Sequence, residues 1–199
     1  MGWFKKIANY FVENFKEEIN KSKTDRQEKN EPVDETTENV STVDSLLIDI
    51  KKHKNNYIKL HFDYLQIIDL FYKKRKDDEA SMNECIKYCI KDIELYPSFR
   101  LAYDEAEKNG LIKRINEYKK QGFGIEMYGD LENRLKNFKP LILRIPAFKQ
   151  LAIIYEQQKK YDEAIKVCNK ALEYGLSDGT KDGFEARINR LKNKVEKVL

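Results

Sequence analysis

Residues 145–176 read IPAFKQLAIIYEQQKKYDEAIKVCNKALEYGL, and this stretch decides the fold. Phe148, Leu151, Ala152 and Tyr155 recur at three- and four-residue steps, which predicts a helix over 147–158 with those side chains inside. Ala164, Ile165, Cys168, Ala171 and Leu172 repeat the pattern over 162–174, and Gly175 closes that second helix. The two helices are antiparallel neighbours, since only a few polar residues separate them. Small Ala152 and Ala164 let the backbones approach closely, while Phe148, Leu151, Tyr155 and Leu172 fill the groove between them.

Helical periodicity continues on both sides. Downstream, SDGTKDG (177–183) is a turn, and Phe184, Ile188, Leu191, Val195 and Val198 stripe a final helix over 184–199. Upstream, Val43, Leu46, Leu47 and Ile50 mark a short helix, and Tyr57, Leu60, Tyr64, Ile67, Ile68 and Phe71 a longer one. A charged bend, KKRKDDEA (73–80), leads to Met82, Cys85, Ile86, Cys89, Ile90 and Ile93, again at helical spacing. Ser81 and Glu84 have capping-box spacing, and Asp77 is the other candidate N-cap. Pro97 lacks an amide hydrogen and is expected to stop this helix. Three short helices are then expected, 99–109 ending at Gly110, 111–120 ending at Gly122, and 130–138, before LILRI forms a stiff connector between Pro140 and Pro146.

Residues 1–19 are expected to form an amphipathic helix, with Trp3, Phe4, Ile7, Phe11, Phe15 and Ile19 on one face. Residues 20–41 have almost nothing to bury and read as a disordered polar linker. Its reach, roughly 25 Å, allows three roles for the helix: docking on its own core, lying on a membrane surface, or binding a partner. Against the membrane role, its three Lys are balanced by three Glu.

The pattern Phe148-x2-Leu151-Ala152-x2-Tyr155, then Ala164-x3-Cys168 and Ala171, resembles the tetratricopeptide repeat, with YDEAI (161–165) as the turn into the second helix. It departs where the repeat has Trp (Phe148), Gly (Ala152), a late aromatic (Cys168) and a terminal Pro (Leu176). Residues 57–97 resemble a degraded copy that keeps the terminal Pro97. The ending, YGLSDGTKDGFEARINRL (174–191), is similar to the tail of small bacterial proteins of this repeat type. The resemblance implies an all-α domain over 42–199: a degenerate repeat at 57–97, intervening helices at 98–144, a clear repeat at 145–176 and a C-terminal capping helix at 184–199. It also implies a concave binding face on the first hairpin helix, carrying Lys149, Ile153, Glu156 and Gln157. Lys149 matches a lysine that binds peptide carboxylates in some members, whereas Ile153 stands where those members have Asn.

Composition narrows the function. Charged residues are 36% of the chain and net charge is +4. Residues 46–199 carry 31 basic and 24 acidic side chains, a surplus too modest to mark a nucleic-acid binder without a basic stripe. Arg187, Arg190, Lys194 and Lys197 form a basic stripe on the last helix, read as a solvated face, with contact to an acidic partner or to phosphate as the alternative, so a nucleic-acid-associated regulator stays the second alternative function. Three cysteines, an odd number, fit a reducing cytoplasm and not a disulfide scaffold. Cys85 and Cys89 sit one turn apart and read as packed thiols, since only His53 and His61 could complete a metal site. Asp178-x-Thr180-x-Asp182-Gly183 copies half of a calcium loop but has Asn189 where a bidentate Glu is needed, so it reads as a turn with Asp182 as N-cap. GFG (122–124) lacks the remainder of a phosphate cradle. No nucleophile–His–acid constellation is legible. The expectation is a cytoplasmic, non-enzymatic protein-interaction module without cofactor or metal; the alternative is a protein held at a membrane surface through residues 1–19.

Overall fold

A computed structural model of the chain describes residues 35–196, with side chains from residue 42 onward. The chain divides into two compact units, residues 1–42 and 43–199, and the packing described below lies in the second. Seven helices and no strand occur among the described residues: α1 (Glu35–Lys52), α2 (Tyr57–Lys74), α3 (Glu79–Lys120), α4 (Ile125–Lys136), α5 (Pro146–Gln157), α6 (Tyr161–Glu173) and α7 (Gly183–Glu196).

Local chemistry fixes most of the helix ends. Asn56 caps α2 by accepting the Lys59 amide at 3.1 Å, and the Asp78 carboxylate caps α3 by accepting the amides of Ala80 and Ser81 at 3.0 Å each. The cap of α3 is therefore neither Ser81 nor Asp77; Ser81 lies inside the first turn and turns its hydroxyl back to Asp78. Helix α6 ends in a Schellman arrangement: Gly175 takes φ +66°, and the Leu176 amide reaches the Ala171 carbonyl at 2.9 Å. The α5–α6 turn uses the same device with a worse residue, since Lys159 adopts φ +61° while the Lys160 amide bonds the Tyr155 carbonyl.

Three sequence expectations are corrected. Pro97 does not stop its helix: α3 runs unbroken from Glu79 to Lys120 with Pro97 inside it. Tyr96 and Phe99, on either side, are buried in the main core, and their burial outweighs the loss of one backbone hydrogen bond. Gly110 likewise ends no helix, so the expected segments 99–109 and 111–120 are parts of α3. Helix α4 starts at Ile125, five residues before the expected 130. In addition, α1 takes in residues 35–41 of the expected linker.

The main core joins α2, α3, α5, α6 and α7, with Leu46 of α1, around Ile67, Ile68, Cys85, Cys89, Phe148, Leu151, Ile154, Cys168, Phe184 and Leu191. Tyr96 of α3, Phe148 of α5 and Tyr174 at the end of α6 form a ring cluster with centroids 4.8–6.1 Å apart, which locks the hairpin onto α3. A second, smaller cluster of Leu111, Ile115 and Leu131, flanked by Tyr118, Tyr128, Leu135 and Phe138, holds α4 against the far half of α3. Between α4 and α5, residues 137–145 form a connector without regular secondary structure.

Candidate protein-interaction surface

The α5–α6 hairpin is built as its sequence predicts. Phe148, Ala152, Ala164, Cys168 and Ala171 are fully buried, and Leu151 nearly so. Alanine at the helix contact leaves no room for a larger side chain, which holds α5 and α6 in one relative placement and gives their outer faces a defined geometry.

The four residues expected on the concave side of α5 are placed differently from one another. Gln157 is exposed and Ile153 is half-buried. Lys149 donates to the Asp178 carbonyl at 3.2 Å. Glu156 is held by three cations of α7: Lys194 at 2.8 Å, Arg190 at 2.9 Å and Arg187 at 3.7 Å. Burial alone would raise the Glu156 carboxyl, but hydrogen bonds from Lys194 and Arg190 outweigh it and keep the group below the usual range. Two of the four are thus engaged within the chain, Glu156 by the basic stripe of α7 and Lys149 by the turn that precedes it.

That stripe is therefore not simply solvated. Arg187 is buried and also reaches Asp178 at 3.3 Å, while Arg190 and Lys194 stay about half exposed. Lys197 lies outside the described residues. Asp178, itself buried, accepts the Thr180 amide at 2.8 Å and the Thr180 hydroxyl at 2.5 Å. Burial pushes its carboxyl up, yet the bonds from Thr180 and Arg187 bring it below the ordinary value. The segment 177–183 is a self-bonded turn whose one buried carboxylate faces the chain. The Gly183 amide goes to the Thr180 hydroxyl at 3.2 Å, so Thr180 does the capping expected of Asp182.

A surface not expected from the sequence lies on another side of the hairpin. Tyr96, Pro97, Arg100 and Leu101 of α3 face Pro140, Leu141, Ile142 and Leu143 of the connector and Tyr174, Gly175 and Leu176 after α6, enclosing a groove of about 520 Å³. Its lining is almost entirely apolar, and Leu101 and Ile142 are 73% and 77% exposed at its edges. The one charged lining residue, Arg100, is spent: it pairs with Asp104 at 2.9 Å and donates to the Leu141 carbonyl, bracing the connector against α3. The clue in the sequence was LILRI, too apolar for a simple connector. What hid the groove was reading Pro97 as a helix end, which removed its α3 wall.

Elsewhere the buried polar groups are internal partners. His61 and Asp92 meet in the main core, and His53 meets Asp63 at 2.7 Å, so both histidines are held by carboxylates. Cys85, Cys89 and Cys168 are free and fully buried, and burial pushes the Cys168 thiol up to about 11. Among the described residues, no group of three or more His, Cys, Asp or Glu is arranged to hold a metal ion, and no helix is long and apolar enough to cross a membrane. Trp3, Phe4, Ile7, Phe11 and Phe15, with the linker up to residue 34, lie outside the described residues, and with them the choice among core, membrane and partner for the N-terminal segment.

In comparison with known proteins, residues 145–174 match the family described as tetratricopeptide repeat. These are the residues of the α5–α6 hairpin, so that part of the chain is a tetratricopeptide-like unit in an all-α fold. No curated protein and no solved structure matches the chain.

Proposed function

We propose that this chain is a non-enzymatic module that binds a protein partner, with the partner's apolar side chains seated in the groove between α3 and the connector. The observation that carries this reading is the exposure of Leu101 and Ile142 on either side of an apolar groove braced by the tetratricopeptide hairpin. Large apolar side chains left in water around a concave surface are the usual mark of a contact site. The wall made by Tyr96 and Tyr174 is held in place because both rings pack on Phe148, so little ordering is needed on this side when a partner arrives. Gln157 and Ile153 on α5, with Glu156 and Lys149 fixed in their internal bonds, form a second candidate surface, a reading supported by the likeness of this hairpin to the tetratricopeptide repeat. An adaptor role follows if the apolar face of residues 1–19 makes a contact of its own. Three buried thiols agree with a cytoplasmic setting.

The test uses the full chain with a photo-crosslinking residue at position 142. Leu101→Asp and Ile142→Asp alter exposed side chains and leave the core untouched, so both variants should melt like the wild type. The reading requires that the protein captured by the wild type be identified, and that either substitution reduce its binding at least tenfold. Equal binding of the same protein by both variants refutes the groove.

A further inference from the structure

The helix α3 serves two cores and is bare between them. Its first part contributes Cys85, Tyr88, Cys89, Ile93, Tyr96 and Phe99 to the main core, with Tyr103 the last residue packed against it. Its last part contributes Leu111 and Ile115 to the second cluster. Residues 104–110, DEAEKNG, supply no apolar side chain to either cluster; Asp104 and Glu107 are half-buried and the rest are exposed, so for about two turns α3 is a helix without an apolar packed face. Helix α4 packs against α3 and makes no comparable contact with any other described helix.

The bare stretch ends in a glycine that packing does not require. A Cβ added at Gly110 meets nothing within 4 Å, and its φ is not positive, so neither space nor backbone conformation calls for glycine. What glycine does supply in a helix interior is weakness, since it gains least from the helical state. Asn109 before it is also a poor helix former.

We propose that residues 104–110 are a hinge, and that the far half of α3 with α4 swings on it as one body held together by the second cluster. The return path permits the motion, because the connector 137–145 has no regular structure. Two contacts brace the closed position. The Lys108 ammonium lies 4.9 Å from the centre of the Phe138 ring, and Arg100 holds the Leu141 carbonyl. Since Leu141 belongs to the wall of the apolar groove and Leu101 stands just before the hinge, a swing changes the groove's width. The hinge is a property of the chain alone and stands whether or not the groove takes a partner.

Hydrogen exchange on the full chain tests it without any partner. Amides of 105–112 should exchange faster than those of 86–96, which lie over the main core, and faster than those of 113–118, which lie over the second. Gly110→Ala, which has room for its methyl group, should slow exchange in 105–112 roughly fivefold and leave 86–96 unchanged. Ala106→Gly, at an exposed position of the same stretch, should speed it by a similar factor. Spin labels at Gln121→Cys and Lys166→Cys, both exposed, should give a broad distance distribution that Gly110→Ala narrows. A stretch 105–112 that exchanges as slowly as 86–96 overturns the hinge. So does a Gly110→Ala that slows exchange without narrowing the distances, which would mean fraying in place, or one that alters neither.

Discussion

His61 Nδ1 lies 2.6 Å from a carboxylate oxygen of Asp92, and both side chains are out of water. The pair ties α2 to α3 inside the main core, and the His61 ring stacks on Phe99 with centroids 4.0 Å apart. The second Asp92 oxygen accepts no hydrogen bond, and burial raises its carboxyl even though His61 pulls it down. An arrangement this dry tolerates no loss of one partner alone. Asp92→Ala should cost about 1–3 kcal/mol, because it leaves a buried imidazole nitrogen unpaired. Asp92→Asn keeps an acceptor toward His61 and should cost less. Urea unfolding of the three proteins checks the order, and a loss below about 1 kcal/mol for Asp92→Ala would mean that the pair does not join the helices.

Ala164 is fully buried where α5 and α6 meet. Ala164→Glu would place an uncompensated carboxylate there, at a cost of several (~3–5) kcal/mol. A thermal midpoint within a degree of wild type would show that the helices do not touch at this residue.

Acid should loosen α7. Glu156 and Asp178 both carry carboxyls held below their ordinary values, so each favours the folded state above the unfolded pKa, and that contribution disappears as pH falls through the folded pKa. Exchange of α7 amides should therefore quicken from about pH 4.5 downward, before the main core opens. Glu156→Gln with Asp178→Asn should make α7 exchange faster at neutral pH and flatten its acid dependence. An acid profile identical to that of wild type would assign the loosening to other groups.

Lys159 occupies the left-handed conformation that a Schellman turn gives more cheaply to glycine. Lys159→Gly should raise stability by about 0.5–1 kcal/mol, since it relieves the Cβ contact at the expense of some unfolded-state entropy. Denaturant titration measures this directly; a destabilised variant would show that Lys159 has a role its exposed position does not reveal.

The three thiols should be silent in the native protein. All are fully buried, so access is closed to each; burial also pushes Cys168 up to about 11, whereas the hydrogen bond with Cys89 lowers Cys85, which is protected by its burial alone. A thiol reagent at neutral pH should modify none of them before unfolding and all of them in denaturant. Rapid reaction of Cys85 or Cys89 in native protein would expose a route into the core.

The hairpin was legible in the sequence because its two determinants are local: alanine where helices touch and aromatic residues at helical spacing around it. The long α3 was not. Pro97 and Gly110 are local stop signals, and both are overridden by burial of Tyr96, Phe99 and Leu111, whose partners lie far along the chain. The engagement of Glu156 was hidden for the same reason, since its three cations lie 31 or more residues away. Exposure of Leu101 and Ile142 could be learned only once the path of α3 was known.

The matched repeat ends at residue 174, but the surfaces it needs covered do not. Phe148 is packed on Tyr96 of α3, and α6 is packed on α7. A fragment cut at 145 and 174 would expose the ring of Phe148 on one side and the α7-facing side of α6 on the other, and it would also leave Glu156 without its cations. Such a fragment should be a poor reagent, prone to aggregate. Expression trials, tag placement and fusion junctions are therefore better set outside residues 43–199 than at the edges of the repeat.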